Sequence, residues 1–310
     1  MQDQGKKPIA LDWLMFFAAP CLFSSNLIFG RGILGEIGPF ITAFIRWAGA
    51  MVIISPLIYH DRRACLSFIR NHTGLWLLLG FLGMGICGGF VYWALTVTTA
   101  SNATLIYTTS SLFIIVFQWL FQKRKLVGHE IIGMLIAFAG VTVIVLKGDL
   151  TALRHLQFNI GDFGMLTAAI AFAAYSMLLR HPAVSAIAPF SLFGLLAFSG
   201  AVVLLPPAII EVMHGGILPT TGLAYLKLAG IIVFASVLAF YSFQHSVRVF
   251  GPAMAGTTLY LMPPVSIVMA VVFLGERFEN YHALGIALVM AGVIMATMPR
   301  GLLRIKKTVL

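Results

Sequence analysis

The sequence predicts an all-α polytopic membrane protein, ten transmembrane helices arranged as two inverted five-helix repeats. Three features carry this prediction: a scarcity of charge, a succession of apolar runs of membrane length, and an echo between the two halves of the chain. Hydrophobic residues make up 60% of the 310 and charged residues only 10%, whereas soluble domains carry about 25% charged residues because their surfaces face water. A water-soluble fold is therefore excluded. A helix needs about 20 apolar residues to cross a bilayer core, and such runs fall at 12–29, 39–58, 74–97, 101–120, 128–147, 161–180, 187–211, 222–247, 252–273 and 281–298. They are too long and too continuously apolar for barrel strands, and lipid offers no partner to an open sheet edge.

The net charge of +10 does not point to nucleic acid, because the basic residues are scattered between apolar runs and form no reading motif. Topology accounts for them. With the N-terminus inside, fourteen of the twenty basic residues collect on the cytoplasmic side: Lys6, Lys7, Arg62, Arg63, Arg70, Lys123, Arg124, Lys125, Arg180, Arg248, Arg300, Arg304, Lys306 and Lys307. This bias predicts a multi-pass protein of a bacterial inner membrane with both termini cytoplasmic. Cys21, Cys65 and Cys87 lack metal-ligand spacing, so neither metal nor cofactor is expected. Gly83-Met84-Gly85-Ile86-Cys87-Gly88 matches a dinucleotide fingerprint in letters only; it sits inside an apolar span, where glycines serve close helix packing. No hydrolase or ATPase motif is present, and no catalytic activity is expected.

The echo appears when residue n is set beside n plus about 150. Asp12 meets Asp162, Ile37-Gly38-Pro39-Phe40 meets Ile187-Ala188-Pro189-Phe190, and Gly49-Ala50 meets Gly200-Ala201. HEIIGMLIAFAGV at 129–141 lies against YHALGIALVMAGV at 281–293, pairing Gly133 with Gly285 and Gly140 with Gly292. An odd number of spans per half turns the second half upside down, the architecture that lets a carrier open one central site to either side in turn. The expected organisation is a cytoplasmic tail (1–10), a first repeat (11–148), a periplasmic connector (149–160), a second repeat (161–298) and a basic cytoplasmic tail (299–310).

On these residues, and above all on GPAMAGTTLYLMPPVSIVMAVVFLGERFENYHALGIALVMAGV at 251–293, each half resembles an EamA-type unit of the drug/metabolite transporter superfamily. The first half departs from the pattern, with Lys123-Arg124-Lys125 where the second has Gly275-Glu276-Arg277; a cytoplasmic turn gains from cations. The resemblance implies a carrier exporting small metabolites, with amino acids, neutral or aromatic, first among substrates as in the YddG-type exporters. The alternative within transport is proton-coupled efflux of cationic drugs, which a central carboxylate would favour. All ten acids instead lie near span ends or in loops, so transport without ion coupling is expected. From another class, the rival is a membrane-embedded enzyme or structural protein; an enzyme would cluster Asp, His or Ser at one membrane depth. The expected partners are a small-molecule substrate and the lipid bilayer, with the carrier monomeric.

Candidate substrate-binding residues are the polar and aromatic groups within spans. Arg46 is the one strong charge inside a span, about 10 Å from its outer end at the helical rise; it either holds a carboxylate, anchors a polar network or snorkels to headgroups. Tyr107, Thr108 and Ser111 lie in a hydroxyl-rich stretch of the fourth span, against Tyr260 and Pro263 in the ninth, where prolines free backbone carbonyls. Those hydroxyls alternatively bond back to their own helix. Ser24 and Asn26 in the first span and Tyr175 in the sixth complete the polar lining, while Tyr92-Trp93 and Gln244-His245 end related spans near opposite faces. Trp93 equally suits an interfacial belt, and His245 a structural role.

Overall fold

The computed structural model describes residues 8–30, 33, 35–98, 100–123, 127–149, 151, 159–274 and 277–297. The tails at 1–7 and 298–310, Arg31, Arg124, Lys125, Arg154, the Gly275-Glu276 turn and most of the connector lie outside these residues, as does the side chain of Asn26. The helices are α1 (Ala10–Gly30), α2 (Pro39–His60), α3 (Arg62–Asn71), α4 (Thr73–Ala94), α5 (Ala100–Thr108), α6 (Ser110–Gln122) and α7 (Gly128–Val145) in the first half of the chain. The second half contains α8 (Ile160–Leu178), α9 (Pro182–Ser185), α10 (Pro189–Met213), α11 (Gly222–Phe250), α12 (Pro252–Gly256), α13 (Thr258–Leu274) and α14 (Asn280–Thr297).

Every apolar run is helical among the described residues, and seven helices (α2, α4, α7, α8, α10, α11 and α14) are long and apolar enough to cross a membrane. The others depart from single uninterrupted spans for local reasons. The fourth run breaks at Thr109, whose hydroxyl turns back on the Ile106 carbonyl at 2.5 Å. The ninth breaks at Thr257, which bonds the Met254 carbonyl at 2.7 Å, and carries Pro263 and Pro264 farther along. Hydroxyls that compete for backbone carbonyls, and prolines that remove donors, weaken a helix at these points. The described apolar part of α1, Ala10–Ser25, is also short.

Helix starts are set by proline and by acids. Pro39 and Pro189 open α2 and α10, where a missing N–H costs nothing. The two helices then exchange carboxylates. Glu211, near the end of α10, accepts the Ile41 N–H in the first turn of α2 at 2.8 Å, while Asp61, just past the end of α2, accepts the Ser191 hydroxyl in the first turn of α10 at 2.6 Å. The acids at α1 and α8 behave alike. One oxygen of Asp12 accepts the Ile9 N–H and one of Asp162 the Asn159 N–H, each at 2.8 Å. The other oxygen reaches across, from Asp12 to His245 of α11 at 2.8 Å and from Asp162 to Thr98 just past α4. Anions at helix starts meet unpaired N–H groups and the positive end of the dipole.

These contacts define the two ends of the bundle. One end gathers Asp12 with His245, Asp61 with Ser191, and Arg248 with the Ser185 and Ile187 carbonyls. The other gathers Asp162 with Thr98, Ile41 with Glu211, and Lys227 with Glu36 at 3.0 Å. Helix neighbours repeat the same theme: α2 lies along α10 and α7 along α14, α1 packs on α11 and α8 on α4. Both α4 and α11 contain a π-helical stretch, Phe81–Phe90 and Ile231–Leu238, beginning 150 residues apart.

The tightest helix pair is α7 with α14. A Cβ built on Gly140 would lie 2.7 Å from the Gly285 carbonyl oxygen, and one on Gly133 would lie 2.5 Å from the Ala296 nitrogen. Backbones this close gain packing that lipid-facing helices cannot obtain from the hydrophobic effect. Gly140→Leu is expected to destabilise the protein by about 1–3 kcal/mol through overpacking, read as a lower melting temperature in detergent, whereas Gly128→Leu, whose Cβ meets nothing within 4 Å, should leave it unchanged.

Candidate functional site

Arg46 lies seven residues into α2, and its side chain is 5% exposed, so it does not snorkel. Its guanidinium is held on three sides: Nε donates to the Ser236 hydroxyl at 2.6 Å, Nη2 to the Ala235 carbonyl at 2.7 Å and Nη1 to the Tyr92 hydroxyl at 3.2 Å. The π-helical stretch of α11 supplies two of these partners, and Ser236 in turn donates to the Ile231 carbonyl at 2.9 Å. Such stretches often mark functional positions because they re-aim backbone and side chains locally. The guanidinium carbon also sits 4.9 Å from the ring centre of Trp47 and 5.6 Å from that of Phe240, where aromatic faces attract a cation. Every partner is neutral. Among the described residues no carboxylate pairs with this charge.

From Arg46 a chain of rings runs through the bundle. Trp47 meets Phe240 edge-on at 4.8 Å, Phe240 meets Phe23 at 5.1 Å, and Phe23 meets Phe243 at 6.3 Å. Phe243 meets Phe172 at 4.8 Å, and Phe172 touches both Tyr107 at 5.8 Å and Tyr175 at 6.1 Å. At the far end of this path Gln244 donates to the Tyr175 hydroxyl at 2.8 Å. Two buried polar atoms along it have no hydrogen-bond partner, the Trp47 indole nitrogen and the Gln244 side-chain oxygen, and the Tyr260 hydroxyl in a neighbouring core cluster has none either. Tyr260 lies beside Ser111 without hydrogen-bond geometry, the Ser111 proton going instead to the Gly256 carbonyl at 2.6 Å. A buried polar atom without a partner forfeits its solvation, and such atoms mark where a polar solute would be welcome.

The structure thus brings together most of the residues singled out from sequence. Arg46 and Tyr92 share one cluster, with Tyr107 beside Cys87 and within electrostatic reach of Arg46. Tyr175 and Gln244 form a second cluster. Ser111 and Tyr260 form a third, with Pro263 three residues farther along α13, which the Ser24 hydroxyl joins to α1 by donating to the Met262 carbonyl at 3.2 Å. Thr108 is buried, whereas its neighbours Thr109 and Ser110 turn back on their own helix. Two residues stand apart. His245 belongs to the Asp12 ion pair at one end of the bundle, and half-buried Trp93 stacks on Phe90 at 4.9 Å, one residue from the end of α4. Trp47, Phe240 and Ser236 were missed because nothing in an apolar run distinguishes a ring or hydroxyl facing an arginine from one facing lipid.

Large apolar side chains such as Phe121, Leu226 and Val272, each at least 67% exposed, cover the outside of the bundle, as a lipid-facing surface requires. Apolar outside and polar within, the molecule is a multi-pass membrane protein. The profile of the EamA-like transporter family matches residues 12–146 and again 159–298, and the chain belongs to that family. It is 24% identical over 290 residues to the "Uncharacterized transporter YetK" of Bacillus subtilis, covering 91% of this chain and 86% of that one. An "Uncharacterized transporter" of Archaeoglobus fulgidus is 26% identical over 288 residues, 89% of this chain and 93% of its own. A "Probable terminal-alkyne amino-acid exporter" of Streptantibioticus cattleyicolor is 27% identical over 226 residues, 70% of this chain and 71% of its own. A solved crystal structure shares the fold with a TM-score of 0.75 at 18% identity, covering 94% of this chain and 97% of that one.

Two substitutions separate packing from chemistry. Arg46→Lys keeps the charge but replaces a planar fork with a point cation, and is expected to lose roughly 1.5–3 kcal/mol with the bonds it cannot remake. Tyr260→Phe removes a buried hydroxyl that bonds nothing, so its melting temperature should equal or exceed that of the parent.

Proposed function

We propose that this chain carries small amino-acid-like solutes, neutral or aromatic, across a bacterial inner membrane in the direction of export. In this reading two five-helix halves, residues 11–148 and 161–298, are related by inversion and rock about a shared central site, exposing it to either side in turn. The single observation that carries it is Arg46: a buried cation with neutral partners in an aromatic interior suits the carboxylate of an amino acid, and aromatic faces suit its side chain. A cationic drug would meet repulsion there. Supporting the inversion are the exchanged acids of α2 and α10 and the matched π-helical stretches. The amino-acid class has further support in the name of the Streptantibioticus cattleyicolor relative.

No acid among the described residues pairs with Arg46, and Asp12, Asp61, Asp162 and Glu211 are engaged at helix ends. Among the described residues the surroundings of Arg46 therefore offer no carboxylate for a coupling proton or sodium ion to neutralise, and the proposed transport is uncoupled.

Reconstituted into liposomes, the protein is expected to speed equilibration of labelled L-phenylalanine. Arg46→Gln should slow it about tenfold or more, the factor set by losing a charged hydrogen bond. Tyr260→Phe should also slow it without loss of thermal stability, and Asn26→Ala should do the same if its amide lines the path. Normal rates in the Arg46 and Tyr260 variants would remove the central site from the transport path. An imposed pH gradient should drive no uphill accumulation; accumulation would overturn the uncoupled mechanism.

A further inference from the structure

Between α2 and α4, at the end of the bundle that holds Asp61 and Ser191, the chain inserts a ten-residue helix that is too short to cross a bilayer: α3, Arg62–Asn71. Helical spacing sorts its residues onto faces. Cys65 and Phe68 are buried against the bundle, within the core cluster that also holds Trp47 and Tyr175. Leu66 points elsewhere and is 64% exposed. On a helix the surface neighbours of a residue lie three and four positions away, so Leu66 is bordered by Arg62 and Arg63 on one side and by Ile69 and Arg70 on the other. Three arginines thus enclose an exposed leucine.

No acid lies within α3 to balance these cations. Asp61, which precedes it, accepts the Ser191 hydroxyl at 2.6 Å, and the exposed Arg63 and Arg70 engage no acid among the described residues. Arg62 sets its guanidinium carbon 4.7 Å from the ring centre of Tyr59, itself exposed near the end of α2. Tyr59 follows the exposed apolar Ile53 and Leu57 along that helix, the place where a tyrosine ring sits at the level of lipid headgroups. Leaving the bundle at that level, α3 has its leucine in reach of acyl chains and its cations in reach of phosphates.

We propose that α3 is a binding site for an anionic phospholipid of the leaflet at this end of the bundle. Leu66 rests against the acyl chains, Arg63 and Arg70 pair with the headgroup phosphate, and Arg62, held over Tyr59, adds a third positive charge. A guanidinium fork matches phosphate oxygens, and a headgroup with no ammonium of its own leaves that attraction unopposed. A basic helix with an apolar flank is also the form that lies in a membrane interface, held by its apolar residues and by anionic lipid together. Because the buried side of α3 belongs to the core cluster of Trp47, a lipid bound outside secures packing inside, and the loaded protein resists melting. The site is independent of which solute the protein carries.

The test is a titration of the full-length protein in neutral detergent with short-chain phosphatidylglycerol, and separately with phosphatidylcholine of the same chains. Phosphatidylglycerol is expected to raise the melting temperature saturably, as a ligand of the folded state does, and phosphatidylcholine far less. Arg63→Gln and Arg70→Gln should each melt like the parent without lipid and weaken the apparent phosphatidylglycerol affinity about fivefold, the factor a basic residue near an anionic surface contributes. Leu66→Ser, with every charge intact, should weaken it too. Lys147→Gln, which removes an exposed cation after α7, should leave it unchanged. Should an arginine variant melt lower without lipid, counting bound lipid on the folded protein by native mass spectrometry makes the same comparison. Equal responses to the two lipids, unchanged affinity in both arginine variants, or an equal loss in Lys147→Gln would overturn the assignment. Displacement of the lipid by inorganic phosphate at the same concentration would overturn it as well, since a free anion would then be the ligand.

Discussion

The structure turns on where it places its carboxylates. Lipid gives an unpaired helix-end N–H nowhere to go, and Asp12, Asp61, Asp162 and Glu211 are committed to helix ends and to partners across the bundle. Each such acid ties two helices together where the chain enters or leaves the apolar layer. The consequence is electrostatic. With the acids engaged at the ends, the buried guanidinium of Arg46 is surrounded by hydroxyls, a carbonyl and aromatic faces.

Such a cation is tolerable only because its neighbours are arranged for it. Three hydrogen bonds and two ring faces replace much of the water it has lost, and the π-helical stretch of α11 brings two of the three partners within reach. Polar atoms on Trp47, Gln244 and Tyr260 are not matched in this way. Satisfied charge beside unsatisfied dipoles is an arrangement suited to a solute that carries its own polar groups.

Much of the fold was legible in the sequence, because a bilayer imposes a length and a polarity that apolar runs display openly. The repeated Pro39-Phe40 and Pro189-Phe190 correspond to helices that both open on proline, and the Asp12 and Asp162 echo to two first-turn acids that each accept a backbone N–H. The glycines at 133, 140, 285 and 292 were legible as a repeat and emerge as the face along which α7 and α14 meet. Interruptions were less visible. Thr109 and Thr257 break helices through hydroxyl bonds that many mid-span threonines make without breaking anything. In the site, polar residues stood out against an apolar background, so Arg46, Tyr92, Ser111, Tyr175, Gln244 and Tyr260 could be named. Which rings and hydroxyls surround them depends on helix rotation, to which a uniformly apolar span gives no clue. The pairing of His245 with Asp12, 233 residues away, was invisible for the same reason.

The separation in sequence between Arg46 and its partners bears on how the chain is made. Ser236 follows Arg46 by 190 residues and Ala235 by 189, while the carboxylate that caps α2 follows Ile41 by 170. During synthesis α2 is complete long before any of these exists, so the nascent first half holds a guanidinium lacking two of its three anchors and a helix start lacking its cap. Those three hydrogen bonds can form only once α10 and α11 have been inserted. The first half of the chain therefore acquires these anchors only from helices made after it.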